Sequence, residues 1–381
     1  MREIYLDNHS ATRPSEELLD QMRSMLSSYW ASSTSPYAEG QIGYLPLVAS
    51  LRKLYELMGA CDADHFYFSS SAAEAVDQIF LSTYIAHAKQ TGRTHFYAAG
   101  VEEAPIMLAA QKMEKMGCTA KTLVVNSFGQ ITKQILEENL RPRAAMLSVS
   151  WASGLTGVIH PLHDIIEICK QKDVLLHVDA SSMIGKSFFR FEDLQVDFMT
   201  FDASVFHGPR GCAGSFVKAF SPFCPQITKQ PSEPIAQICT LAEAMELAAE
   251  QFDKVCTETA RLRDRLEANI AAALPNVFIP FKEAERLPTT SVICFPGVVN
   301  EALLYHISSK GVLATMGGGS FQKLSHILEL CGVDRLLSLG SLSFTLSYQT
   351  TQQDIDEASE IIISAYKSLQ AMGGYLSQGG I

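Results

Sequence analysis

The sequence predicts an α/β protein, with a mostly parallel sheet covered on both faces by helices and a smaller α+β unit after it. Three observations carry this. Short apolar runs recur between His65 and Phe201, amphipathic stretches lie between them, and after about residue 235 the alternation stops.

Taken in order, Glu16 to Leu26 and Leu47 to Met58 place apolar residues three and four apart and read as helices. His65 to Phe68 is short and apolar enough for a buried strand, and Ala73 to His87 follows as its crossover helix. His95 to Ala98 with Pro105 to Met116, and Ala145 to Val149 with Pro161 to Gln171, repeat the unit. Val174 to Val178, Phe198 to Phe201 and Gly214 to Val217 read as further strands. Parallel neighbours need a crossover between them, so this alternation implies parallel pairing. Ile235 to Leu274 reads as one long helical region. Within it RLRDRLEANIAAAL sets acidic and basic residues three or four apart on a solvated face. TTSVICFPG and SLSFTLS read as strands of the smaller unit and Asp354 to Ala371 as a closing helix, with the boundary between the units near residue 250.

Composition narrows the function. The chain has 381 residues, 41 acidic and 30 basic, for a net charge of −11, with 47% hydrophobic and 19% charged. That is ordinary globular composition, and the acidic balance disfavours a general binder of nucleic-acid backbones. The nine cysteines are an odd set without a C-x-x-C pair, which argues for reduced thiols rather than a zinc site or a disulfide framework. No signal peptide or membrane-spanning run is expected, so the cytoplasm is the expected location.

In an open α/β sheet ligands bind beyond the carboxyl ends of the strands, so the residues just after each apolar run matter most. Five segments stand there or frame that edge: IYLDNHSATRP at 4–14, FSSSAAEA at 68–75, HVDASSMIGK at 177–186, VDFMTFDASVFHGPRG at 196–211 and RLPTTSVICFPGVVNEALL at 286–304. In order and spacing they resemble the class V aminotransferases, and within them the cysteine desulfurases of the NifS/IscS-like kind. The resemblance implies the type I fold of pyridoxal-phosphate-dependent transferases, with a seven-stranded sheet in a large domain at 14–250. It also implies a small domain built from 1–13 and 251–381, a homodimer, and partners in sulfur or iron–sulfur metabolism.

Pyridoxal phosphate is an electron sink that needs a Schiff-base Lys, an acid at the pyridine nitrogen, a phosphate cradle and a group stacked on its ring. By the resemblance, Asp179 stands at the position of the acid, although an Asp there also orders a strand-end turn. The Lys position holds Val205, which has no amine. The flanking Ser and His expected on the phosphate are Asp202 and Ser204, and a carboxylate at 202 repels a phosphate.

The remaining positions depart in the same direction. The G-A-T-E turn is Ser71-Ala72-Ala73-Glu74, so Ala72 and Ala73 offer backbone amides but no Thr hydroxyl. The stacking His falls on Glu103, and the Gln at the ring hydroxyl falls on Ser182. The N-N-E-x-G turn reads Ser153-Gly154-Leu155-Thr156-Gly157, and the R-S-G-T loop is shortened to Gln230-Pro231-Ser232-Glu233-Pro234. The persulfide Cys falls on Ser320 and the carboxylate-binding Arg on Ser343. Cys331 reads as a packed thiol. Lys186, His207 and Arg210 belong to turns and read as structural, and Lys218 follows a strand.

The expectation is therefore a cysteine desulfurase-like homologue without covalent pyridoxal phosphate, with no catalytic residue, acting by interaction or regulation. Its vestigial pocket would be Asp179, Ala72, Ala73, Glu103, Ser182, Asp202 and Ser204. Two alternatives stay open. One is an active enzyme with a displaced Lys or non-covalent cofactor. The other is a small-molecule or metal-binding module that uses the carboxylates Glu103, Asp179 and Asp202 together.

Overall fold

The computed structural model describes residues 2–228, 232–318 and 322–378, with side chains as far as 372. After a short strand β1 (Ile4–Tyr5), the chain builds β2 (His65–Ser69), β3 (His95–Ala99), β4 (Thr119–Leu123) and β5 (Ala144–Ser150). β6 (Leu175–Asp179), β7 (Phe198–Asp202) and β8 (Ala213–Val217) follow. Together β2 to β8 form one seven-stranded sheet in the order β2-β8-β7-β6-β5-β3-β4. All neighbouring pairs are parallel except those of β8, which is antiparallel to both β2 and β7. The turn from β7 to β8 has no room for a crossover helix, so β8 must return antiparallel.

Helices cover both faces. Ala72–Thr83 and Ala104–Lys115 lie on one side over Phe80, Phe96 and Phe198. Tyr44–Met58, Leu162–Gln171 and Ile235–Glu250 lie over Leu54, Ile165 and Ile238 on the other. At the centre, His177 on β6 bonds Ser148 Oγ (2.7 Å) on β5 and Thr200 Oγ1 (3.0 Å) on β7. Burial pushes its pKa down to about 3, so the ring is neutral and ties three strands together.

A second apolar cluster joins Ile4 and Leu6 to Leu262, Ile293, Phe344 and Tyr366. Here β9 (Thr290–Cys294) pairs antiparallel with β11 (Ser341–Thr345), and β10 (Val312–Leu313) pairs parallel with β1. The helix Gln352–Gln378 closes this unit.

Two expectations need correction, and two elements are additions. The long helical region is interrupted: Ile235–Glu250 ends at Gln251, and a π-helical turn at Val255–Thr259 leads into Ala260–Ala273. The helix expected to stop at His87 runs through a second π turn, Tyr84–Ala88, to Thr91 and is ended by left-handed Gly92. The edge strand β4 and the helix Lys133–Asn139 lacked a sufficient apolar signal and were not anticipated. No helix among the described residues is long and apolar enough to cross a membrane.

Candidate ligand site at the strand ends

β2, β3, β5, β6 and β7 all end on the same edge of the sheet, and the residues after them enclose a cavity of about 330 Å³. Gly317, Gly318 and Gln322 of the second unit also line it. Ala72, Glu103, Asp179, Ser182, Asp202, Ser204 and Val205 all line this space, so one pocket gathers nearly every anticipated position. Ala73 sits in the first turn of the helix behind it. Ser320 lies outside the described residues, as do Gln230 and Pro231.

The first turn of Ala72–Thr83 is capped by Ser71, and the Glu74 side chain reaches back past this N-cap to Ser70. Ser71 Oγ accepts from Glu74 N (3.2 Å), and Glu74 Oε2 accepts from Ser70 N (2.8 Å). The next amide, Ala72 N, donates to Asp202 Oδ2 at 2.9 Å, while Asp202 Oδ1 accepts from Ser204 N, also at 2.9 Å. A side-chain anion therefore sits on the helix N-terminus, where the amides and the helix dipole favour negative charge. Ser204 is held in turn by Thr12, whose N and Oγ1 both donate to the Ser204 carbonyl.

Asp179 is buried at the end of β6, and its Oδ1 accepts from Ser181 N at 2.8 Å. Burial raises its pKa to about 6, with Glu103 and Asp202 adding to the rise. Glu103 accepts a hydrogen bond from Gln322 Nε2 and lies 3.8 Å from His9 Nε2. The sequence pointed to Glu103 but not to its neighbour Glu102, which is the more deeply buried of the two. Glu102 Oε2 accepts from Ser150 N (2.8 Å), Oε1 has no partner, and burial pushes the pKa up to about 8. At neutral pH this carboxyl keeps its proton.

His9, Ser150, Ser181 and Gln322 are further pocket residues that sequence reasoning missed. Gly154 held the signal for His9. A Cβ at position 154 would collide with the His9 imidazole and stand 2.9 Å from Ser182 Oγ. The imidazole thus fills space that any larger residue at 154 would claim.

Other candidates fall outside the pocket. Ser343 is buried in β11 and donates to the Leu155 carbonyl at 2.6 Å. Burial raises the Cys331 thiol to about 12, so it stays protonated. Lys218 donates to the Phe191 carbonyl at 2.7 Å. His207 donates its backbone N–H to Thr12 Oγ1 (2.6 Å), its ring Nδ1 lies 2.9 Å from the Arg13 carbonyl, and Arg210 is exposed. Lys186 lines a small, mainly apolar cavity of about 50 Å³ together with Val205 and His207, and burial lowers its amine to about 8.

Residues 4–219 match the family model described as Aminotransferase class-V, which is more than half of the chain. The chain belongs to the class V aminotransferase family. Among its relatives, a cysteine desulfurase of Sinorhizobium fredii is 28% identical across 97% of this chain and 98% of its own length. A cysteine desulfurase of Nostoc is 26% identical over 98% and 96% of the two chains. A solved NifS-like protein superposes with a TM-score of 0.87 at 23% identity, covering 96% of this chain and all of its own. The class V fold therefore extends through the second unit, beyond the segment the family model matches.

Proposed function

We propose that this class V aminotransferase family member resembles the cysteine desulfurases in fold but has given up pyridoxal-phosphate and persulfide chemistry, and acts by binding. The observation that carries this is Asp202. Its two carboxylate oxygens take the amides of Ala72 and Ser204, the donors that a phosphate at this turn would need. An anion already in place both repels a second anion and withdraws the donors.

The remaining residues also fail to fit the cofactor. Val205 offers no amine, Glu103 offers no ring to stack, and only Asp179 matches its expected role. A persulfide would need a Cys where the sequence has Ser320. The site residues named for the pocket are then binding positions, not catalytic ones. The proposed setting is the cytoplasm, as a homodimer, with a protein partner from sulfur or iron–sulfur metabolism. An exposed apolar run including Trp30, Ile42, Tyr44 and Leu45 is consistent with a second copy covering that face.

A displaced amine is the competing reading, favoured by Lys186 in the cavity that Val205 also lines. One experiment separates the two. The purified protein is incubated with pyridoxal phosphate, desalted, scanned between about 300 and 500 nm, reduced with borohydride and peptide-mapped. A colourless protein with no modified lysine is expected. An absorbing protein with a reduced adduct on Lys186 or another lysine overturns the proposal.

A further inference from the structure

We infer that Lys186 is a carbamylation site: its amine adds carbon dioxide inside the small apolar cavity beside Val205 and becomes a lysine carbamate. The inference goes beyond the loss of the cofactor and rests on a different cavity from the one at the strand ends.

This cavity lies where the two units meet. Val205, Phe206 and Leu247 line it from the first unit, Leu346 and Tyr348 from the second, and no Asp or Glu does so among the described residues. Lys186 is partly buried, and none of the hydrogen bonds or salt bridges of the described residues engages its amine. The charged groups that feel it are the Cys256 thiol and the His207 ring, neither of them a counter-ion at neutral pH. A lysine without water or a carboxylate around it is poorly held as an ammonium, which is why burial brings it down to about 8. About a tenth of the chains then carry the free amine at pH 7. Only that form attacks carbon.

The size of the space selects the electrophile. An apolar cavity of about 150 Å³ takes benzene, so a cavity of about 50 Å³ takes a molecule of about three non-hydrogen atoms. A pyridine aldehyde is too large. A small anion must shed its hydration to enter an apolar lining, whereas carbon dioxide enters uncharged and acquires charge only on bonding.

The step balances without oxidation or reduction. The Lys186 Nζ lone pair forms an N–C bond, one C=O pair moves onto oxygen, and the nitrogen releases one proton. His207, in the same cavity and only 6% exposed, is placed to take it. Its Nδ1 lies 2.9 Å from the Arg13 carbonyl, which can only accept, so Nδ1 carries the hydrogen and Nε2 keeps a lone pair. None of the hydrogen bonds of the described residues uses Nε2. Burial, and with it the Lys186 ammonium, holds His207 down at about 4. A carbamate in place of that ammonium reverses the neighbouring charge and favours the imidazolium as the product forms.

The test is carbon NMR of the full-length protein equilibrated with isotopically labelled bicarbonate, followed by trapping with triethyloxonium and peptide mapping. A carbonyl resonance apart from bicarbonate and dissolved carbon dioxide is expected, with the trapped ester on Lys186 at least fivefold above any other lysine. Lys186→Arg keeps a cation without a nucleophilic amine and should abolish the signal. His207→Asn, which tolerates the left-handed backbone at φ +67°, should lower occupancy at least threefold while circular dichroism stays native. Lys133→Arg, at an exposed pair with Glu167, should leave it unchanged. Peptide mapping of the native chain decides the site even if a variant fails to fold. No resonance, adducts confined to the N-terminus or exposed lysines, or undiminished occupancy in His207→Asn overturns the inference. An unlabelled, colourless protein would overturn it and leave the lost cofactor standing, whereas a reduced pyridoxal adduct would overturn the lost cofactor alone.

Discussion

Two buried carboxylate regions of this molecule have opposite electrostatic designs. In the second unit, Glu267 on Ala260–Ala273 accepts from Arg286 NH1 at 2.5 Å and NH2 at 3.1 Å, and from Ser291 Oγ at 2.7 Å. Both ionic side chains are nearly sealed, at 8% exposure for Arg286 and 5% for Glu267. Charge and hydrogen bonds balance there. At the strand ends of the sheet, Glu103, Asp179 and Asp202 line one cavity in which His9 is the one basic side chain among the described residues, and Glu102 is buried behind Ser150 in its wall. A site that must only be stable satisfies itself, and a site that must receive something keeps its imbalance.

The largest effect that tests this contrast is Arg286→Met. It leaves Glu267 buried with Ser291 as its remaining partner and should cost about 3–5 kcal/mol, the range for breaking a buried pair. The double variant Arg286→Met, Glu267→Met should recover most of that loss. In the pocket, Asp179→Asn keeps the acceptor for Ser181 N and removes a charge that burial already disfavours, so stability should hold or rise. Urea denaturation of the three variants checks this. The contrast breaks if Asp179→Asn destabilises as much as Arg286→Met.

An effect of similar size, spread over several pH units, sharpens the pocket side through pH. Glu102 has a raised folded-state value, about 8 against 4.5, so the folded protein holds this proton more tightly than the unfolded chain. Its contribution is fully present below the unfolded value and is lost as pH rises toward 8. The loss is about 1.4 kcal/mol per pH unit across that window. Glu102→Gln mimics the protonated form, so the variant should overtake the native chain as pH climbs from 5 to 8.5. His177 and His160, lowered to about 3 and about 4, contribute stability above the usual histidine range that is lost as pH falls through those values. That loss begins below about 6.5 and overlaps the lower part of the Glu102 window, but it is common to both proteins, so the difference between their curves reports Glu102. Stability curves for both proteins that stay parallel across it would refute the assignment.

What was legible in the sequence follows the same physics. Strands buried on both faces, such as β3, β5, β6 and β7, are continuous apolar runs and could be read directly. β4 could not, because it lies on the sheet edge with Lys121 and Thr122 exposed, and TAKTL carries no apolar signature. The break at Gln251 is set by packing and has no Gly or Pro to announce it. In the site, Asp179, Asp202 and Glu103 were visible because each follows an apolar run at a position the family resemblance marks. Glu102 was hidden by adjacency: in VEEAP nothing local says which Glu turns inward, and only the amide of Ser150 decides it. Ser150 and Ser181 were hidden because a place in the pocket lining is a property of the neighbours, not of serine.

The smallest effect compares two glycines of one turn, one facing each region. Gly157 has φ +80°, and a Cβ there would stand 2.9 Å from Cβ of Thr290, on β9 of the second unit. Both the left-handed backbone and a neighbour without freedom to move oppose a side chain, so Gly157→Ala should cost about 1–3 kcal/mol. Gly154 has an ordinary backbone, and the obstacle to its Cβ is the ring of His9, at the far end of a side chain in the pocket wall. His9 has a cavity beside it to turn into, and its contact with Glu103 is a loose 3.8 Å. Gly154→Ala should therefore cost less than about 1 kcal/mol, within the range for substitutions that a flexible neighbour absorbs. Thermal melts of the two variants decide the matter. Equal losses would mean that the pocket wall is packed as rigidly as the seam, and the cavity would then lack the give that admission of a ligand requires.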